Sequence, residues 1–274
     1  MSFNINRGRL ISYKGDDETV VVPSNVRIIG EEAFDGWNER LPNLKRVILH
    51  NGITSIGADA FRYCDGLEEI EIPEKIVHLK QDMFFCCKSL SKVTLPSGLK
   101  KIDGRAFYHC TSLKEIVLPA GLTELGSNAF VCTEIGEIVL PDGIMEIKYG
   151  TFMSCKNLKR ISFPKNLTTI LKDAFQGCDS LTEAVLPDRV LKISESVFCG
   201  CQNLEWVVVP HGVSRIAKLT FACCPKLTCV ELPDSVVEIS DEAFYHSDHV
   251  VVKAPVGSYA IQFAKENGLR YEEV

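Results

Sequence analysis

Several features are missing from this 274-residue chain, and each absence removes a class of function. No run of about 18 apolar residues occurs, so no segment is long enough to cross a bilayer as a helix, and membrane insertion is not expected. The opening stretch, MSFNINRGRLISYKGDDETVVVP, lacks the apolar core of a secretory signal. The expected location is therefore the cytoplasm, with the cell surface or secretion as the alternative if an export signal preceded it. Lysine and arginine are not clustered, and 36 acidic residues outnumber 30 basic ones for a net charge of −6. A phosphate backbone needs concentrated positive charge, so nucleic acid is not the expected partner, and a polybasic membrane-surface anchor is absent too. Neither G-x-x-x-x-G-K-[ST] nor G-x-G-x-x-G is present to cradle a phosphate, and no cofactor is expected.

What the sequence does contain is a period. Phenylalanine recurs at Phe34, Phe61, Phe84, Phe107, Phe130, Phe152, Phe175, Phe198, Phe221 and Phe244, and seven of those nine spacings are 23 residues. A fixed period of this length, with leucine-type residues at constant offsets, marks a solenoid in which each unit is one coil. Aligned on phenylalanine, the coils read L-x-x-I-x-L-P-x-x-L-x-x-I-G-x-x-A-F-x-x-C. The first part alternates: in one coil Leu113, Ile116 and Leu118 point inward and Glu115 and Val117 outward, the pattern of a short strand. Proline closes that strand at Pro73, Pro96, Pro119, Pro141, Pro164, Pro187, Pro210 and Pro233, where its missing N–H ends a ladder. The fold expected is a β-rich right-handed leucine-rich-repeat superhelix, elongated and curved, with one parallel sheet on its concave face. Between proline and Ala-Phe too few residues remain for an ordinary helix, so short strands, turns or single helical turns are expected.

The domain reading is a single solenoid: an N-terminal cap over 1–22, about ten repeats over 23–250 and a C-terminal cap over 251–274. The opening cap is read as hairpin-like over 8–23 with Gly15-Asp16 at its turn. The closing cap is read as a helix from about Tyr259 to Asn267, with Ser258 as N-cap, an apolar face drawn from Tyr259, Ala260, Phe263 and Ala264, and Gly268 at C′. On this reading the chain is close to complete at its C-terminus. Two coils depart in length. Four extra residues lie between Phe34 and Leu44, where Trp37 to Pro42 forms the tip of an outward bulge and Trp37 is read mainly as filling the later coils' cysteine position. One residue is missing between Phe130 and Ile135.

These residues resemble the BspA-like class of bacterial leucine-rich repeats across nearly the whole chain, including the caps ISYKGDDETVVVPSNVRIIGEEAF and APVGSYAIQFAKENGLRY. The resemblance implies an interaction surface, often displayed on bacterial cells in host-associated settings, where it would serve adhesion.

Twelve cysteines invite a metal or disulfide reading, which position in the repeat argues against. Cys64, Cys87, Cys110, Cys132, Cys155, Cys178, Cys201 and Cys224 are assigned to one inward ladder of small side chains. Cys86, Cys199, Cys223 and Cys229 lie off it, without the two-residue spacing or partner histidines of structural zinc. Cys229 falls on the outward face of its strand. His78, His109, His211, His246 and His249 are read as scattered over the repeat and His50 as replacing the strand-ending proline, with no recurring nucleophile beside them. No catalytic or metal-ligating residue is assigned, and the chain is not read as an enzyme.

The strands' outward residues form two columns. One reads Arg46, Glu69, Lys92, Glu115, Glu137, Arg160, Glu183, Trp206, Cys229, mostly a cross-strand charge ladder. The other reads Ile48, Glu71, Thr94, Val117, Val139, Ser162, Val185, Val208, Glu231 and is unusually apolar for solvent-facing positions. Val117, Val139, Val185 and Val208 with Trp206, Glu115 and Glu183 are the candidate binding residues. A protein or glycan partner is expected there; the alternative is a structural or self-associating repeat using the same valines.

Overall fold

The computed structural model describes residues 2–39 and 41–274. The chain folds as two compact units, one ending at Ile135 and one beginning at Gly136. Each is a stack of coils with the short-strand, proline and phenylalanine order of the repeat, the leucine-rich-repeat solenoid expected.

In the first unit, Thr19–Val21, Arg46–Ile48, Glu69–Glu71 and Lys92–Thr94 form one parallel sheet in chain order. The register aligns Val20, Val47, Ile70 and Val93, the buried centre of each triplet, while the flanking residues stay outside the core. This is the period-two alternation of the sequence made physical: one slip would bring charged Arg46 or Glu69 into the core. The rest of each coil holds a two-residue strand and turns, as anticipated. Ile28–Ile29 and Ser55–Ile56 extend one such ladder; His78–Leu79, Lys101–Ile102 and Glu124–Leu125 form another.

The opening cap differs from expectation. Its antiparallel hairpin joins Ser2–Asn6 to Arg9–Lys14, so the turn is Arg7-Gly8, not Gly15-Asp16. Both turn residues have positive φ, 48° and 77°, as a tight two-residue hairpin requires. Beyond it Arg9–Lys14 turns its other edge to Ile28–Ile29 in parallel and so begins the stack. A second difference lies at Glu115–Val117, which forms no strand. Its residue types match those of paired coils, and pairing failed for want of a ladder with Lys92–Thr94, a relation between coils and not a local propensity. A hollow of 440 Å³ opens there, lined by Thr94, Ile116 and Val117 among others.

In the second unit, Glu137–Val139 pairs with Arg160–Ser162. A larger parallel sheet then runs Glu183–Val185, Trp206–Val208, Cys229–Glu231, Val251–Ala254 and Arg270–Glu273. The closing helix is Tyr259–Glu266, burying Ala260, Ile261, Phe263 and Ala264. Tyr259, 41% exposed, stays off the apolar face, which Ile261 completes instead. Ser258 holds the N-cap position, but its hydroxyl makes no capping bond; Gly268 is left-handed as C′ requires.

The phenylalanines form the core. In the first unit, rings from Phe34 to Phe130 stack at 5.2–5.4 Å between centroids and within 14° of parallel. In the second, rings from Phe152 to Phe244 stack at 5.5–5.9 Å within 18°. Two residues before and after most of these phenylalanines the backbone is left-handed, at Asp59 and Tyr63 or Ser196 and Gly200 for example, which reverses the chain tightly around the ring.

Candidate functional site

The thiols settle first, because they were the strongest hint of chemistry. Ladder sulfurs donate to the carbonyl of the preceding coil's phenylalanine: Cys64 to Phe34 at 2.8 Å, Cys87 to Phe61 at 3.0 Å and Cys110 to Phe84 at 3.1 Å in the first unit. In the second, Cys178, Cys201 and Cys224 do the same at 3.1–3.3 Å. Cys132 does not belong to this set. The position three after Phe130 is Thr133, which is buried, whereas Cys132 is half-buried with a left-handed backbone. Ser247 completes the column, its Oγ donating to Phe221 O at 2.7 Å. Cysteine and serine both serve here because a phenylalanine carbonyl that in most coils already accepts the backbone N–H three residues on has a second lone pair for a small inward donor, whereas Thr133 donates to Phe130 O of its own coil at 3.0 Å. Burial pushes the Cys64, Cys87, Cys110, Cys178 and Cys201 thiols well up and Cys224 to about 12, the opposite of an activated nucleophile. Burial also raises the outward Cys229.

Among the described residues, no three His, Cys, Asp or Glu side chains converge as a metal site would require. One polar chain that the sequence reading missed runs along the ladder of two-residue strands. His78 meets Asp103 at 2.6 Å, and Lys101 bridges Asp103 at 3.1 Å and Glu124 at 3.3 Å. Its signal was available, since His78, Lys101 and Glu124 share one repeat position and stand in register. These groups are a quarter or more exposed, and such a network stabilises little.

The outward residues of the three-residue strands remain. In the second unit, the register sets Glu183 beside Trp206 and Trp206 beside Cys229, with Val185 beside Val208 and Val208 beside Glu231. Val185 is 52% exposed, Trp206 and Val208 are half-buried, and Glu183 is exposed. The inward members of these strands, Ala184, Val207 and Val230, are buried, so they anchor the outward side chains on a rigid base. The adjoining Glu231 pairs with Lys253 at 3.4 Å and closes the apolar patch with charge. Val139, 69% exposed, stands beside Ser162 on the separate two-strand sheet. In the first unit, Val117 is the most exposed valine at 85% and Glu115 accompanies it, both off any strand. The charge ladder is realised at Arg46 and Glu69, which form an ion pair beside a shallow hollow lined by Ile48, Glu71, Lys92 and Thr94. The register thus brings together Glu183, Val185, Trp206 and Val208 and keeps Val139 on another sheet. Part of the bulge from Trp37 to Pro42 lies outside the described residues; within it Gly36–Glu39 forms one helical turn and the Trp37 ring, 71% exposed, packs on Tyr63 at 5.4 Å. Trp37 therefore does not fill an inward cysteine position.

A leucine-rich repeat protein from Bacteroides ovatus ATCC 8483 shares this fold at a TM-score of 0.71 and 24% identity, over 92% of this chain and 82% of that one. A leucine rich cell surface protein from Faecalibacterium prausnitzii A2-165 matches at 0.51 and 23%, over 96% and 94%. The pneumococcal vaccine antigen PcpA matches at 0.53 and 21%, over 96% and 83%. No curated protein matches the chain. No helix among the described residues is long and apolar enough to cross a membrane. The BspA type leucine rich repeat region matches in six copies, over residues 12–132, 37–159 and 126–251. With that coverage, and with the phenylalanine and thiol columns that its repeats generate, the chain belongs to the BspA-type leucine-rich-repeat family.

Proposed function

We propose that this chain is a non-enzymatic interaction module and that a protein partner docks on the strip formed by Glu183, Val185, Trp206 and Val208, with Val139 as a further contact; Val117 and Glu115 in the other unit are a separate candidate surface. The observation that carries this reading is the in-register pair Val185 and Val208 beside Trp206 on the solvent side of strands whose inner side is fully packed. Apolar side chains held rigidly at a surface lose little conformational entropy on docking, and tryptophan is a favoured anchor. Repeat proteins of this kind use such sheets for recognition because each coil adds two outward residues without changing the core.

The test is a pull-down from bacterial lysate and, separately, from host extracellular-matrix and mucin material, with wild type beside Trp206→Glu and Val208→Glu. Neither side chain belongs to the core, so both variants should melt close to wild type. A protein retained by wild type and lost from both folded variants supports the strip. Retention by all three removes it. Light scattering against concentration covers the self-associating alternative: growth in size that both variants abolish would reassign the strip to contacts between copies of the chain.

A further inference from the structure

A different face of the first unit carries groups that the repeat does not need. The position after each core phenylalanine holds Phe85 and Tyr108 in successive coils, where the other unit places Met153, Gln176, Cys199 and Ala222 and returns to an aromatic only in its last coil, at Tyr245. Trp37 and Tyr63 continue this row of rings. Trp37 lies 5.4 Å from Tyr63, Tyr63 lies 5.4 Å from Phe85 and 80° to it, and Phe85 stacks on Tyr108 at 4.9 Å. Arginines lie along the row, with Arg62 Cζ 5.0 Å from the Tyr63 ring and Arg105 Cζ 5.7 Å from that of Phe85. Their charges are already met: Arg62 by Asp59 at 3.3 Å and Arg105 by Asp82 Oδ2 at 2.7 Å.

Two polar atoms in this cluster have no hydrogen-bond partner among the described residues, Asp82 Oδ1 and Arg62 Nε, and both are buried. Asp82 itself is 6% exposed. A native structure seldom leaves a buried carboxylate oxygen and a buried N–H unused without a reason. The arginine side chains paired with or carrying these atoms are 38% and 44% exposed, so a ligand gains access by moving side-chain ends and not backbone.

We propose that the surface formed by Trp37, Tyr63, Phe85, Arg62 and Asp82 binds a neutral carbohydrate chain. The chemistry selects this class by elimination. A phosphate or sulfate would face Asp59 and Asp82, and a cationic side chain would face Arg62 and Arg105. A purely apolar segment would leave both polar atoms unused. A sugar hydroxyl donates to a carboxylate oxygen and accepts from an N–H, and the C–H face of a pyranose lies flat against an exposed ring. Trp37, 71% exposed at the end of the row, supplies that ring.

Isothermal titration with linear hexasaccharides of glucose, mannose and N-acetylglucosamine tests this, with a heparin hexasaccharide and hexalysine as charged probes. At least one neutral hexasaccharide should bind with Kd of about 1 mM or tighter. Trp37→Ala, which removes an exposed ring and should melt like wild type, should weaken it by about tenfold or more, an energy of about 1.4 kcal/mol. Asp82→Ala should do the same, and if it fails to fold the Trp37 variant decides alone. The proposal is overturned by saturation with no neutral probe at about 10 mM, by binding of charged probes only, or by sugar affinity that Trp37→Ala leaves unchanged. It stands apart from the Trp206 strip, since neither variant touches that residue.

Discussion

If the phenylalanine column stabilises the coils through ring-on-ring contact beyond simple burial, a ring with two neighbours must be worth more than a ring with one. The second unit contains both cases. Phe198 is fully buried between Phe175 at 5.6 Å and Phe221 at 5.9 Å, within 9° and 4° of parallel. Phe244 closes the row against Phe221 at 5.6 Å and is 7% exposed. Leucine keeps most of the apolar volume at either position but has no ring. Each offset-stacked pair contributes about 0.5–1.5 kcal/mol beyond area burial. Phe198→Leu should therefore lose about 1–3 kcal/mol of ring contact and Phe244→Leu about 0.5–1.5 kcal/mol, each on top of a similar shape-change term. Both residues lie in the same compact unit, so urea denaturation followed by circular dichroism compares them against one transition. Equal losses, or a larger loss at Phe244, would refute the stacking argument and leave only hydrophobic burial to hold the column together.

Two further outcomes follow from the same geometry. In the folded protein a thiol-alkylating reagent should modify the half-buried Cys86, Cys132, Cys199, Cys223 and Cys229 and spare the inward ladder, which becomes reactive only on unfolding; mass spectrometry of the labelled peptides reads this, and rapid labelling of Cys87 or Cys110 in the folded state would contradict it. Tyr13 is fully buried against Phe34, and burial, then its 2.6 Å hydrogen bond to Asp17, raises its phenol from 10.0 to about 12. Its neutral form is thus favoured in the folded state. That contribution is complete below pH 10 and is lost as pH rises through about 12, so thermal midpoints should fall across this window, and less steeply in Tyr13→Phe.

The amino-acid sequence by itself determined the repeat. The 23-residue phenylalanine spacing, the proline after most triplets and the alternation of Ile70 and Val93 with polar neighbours dictate coils, strand faces and core, because each follows from short-range geometry repeated many times. The helix Tyr259–Glu266 could be placed from Ser258 and Gly268. Only the tertiary structure decided what depends on contacts between coils. Whether Glu115–Val117 pairs is set by hydrogen bonds to a segment 23 residues away, and no propensity in the triplet records it. Thr133 took the inward position that cysteine counting had given to Cys132, because in this coil, one residue short, Thr133 and not Cys132 stands three after the core phenylalanine. The opening turn fell at Arg7-Gly8 because Arg9–Lys14 must present its free edge to Ile28–Ile29. The row from Trp37 to Tyr108 escaped periodic reading altogether: its rings come from an insertion and from positions that the repeat leaves variable, and only stacking brings them within 5.4 Å of one another.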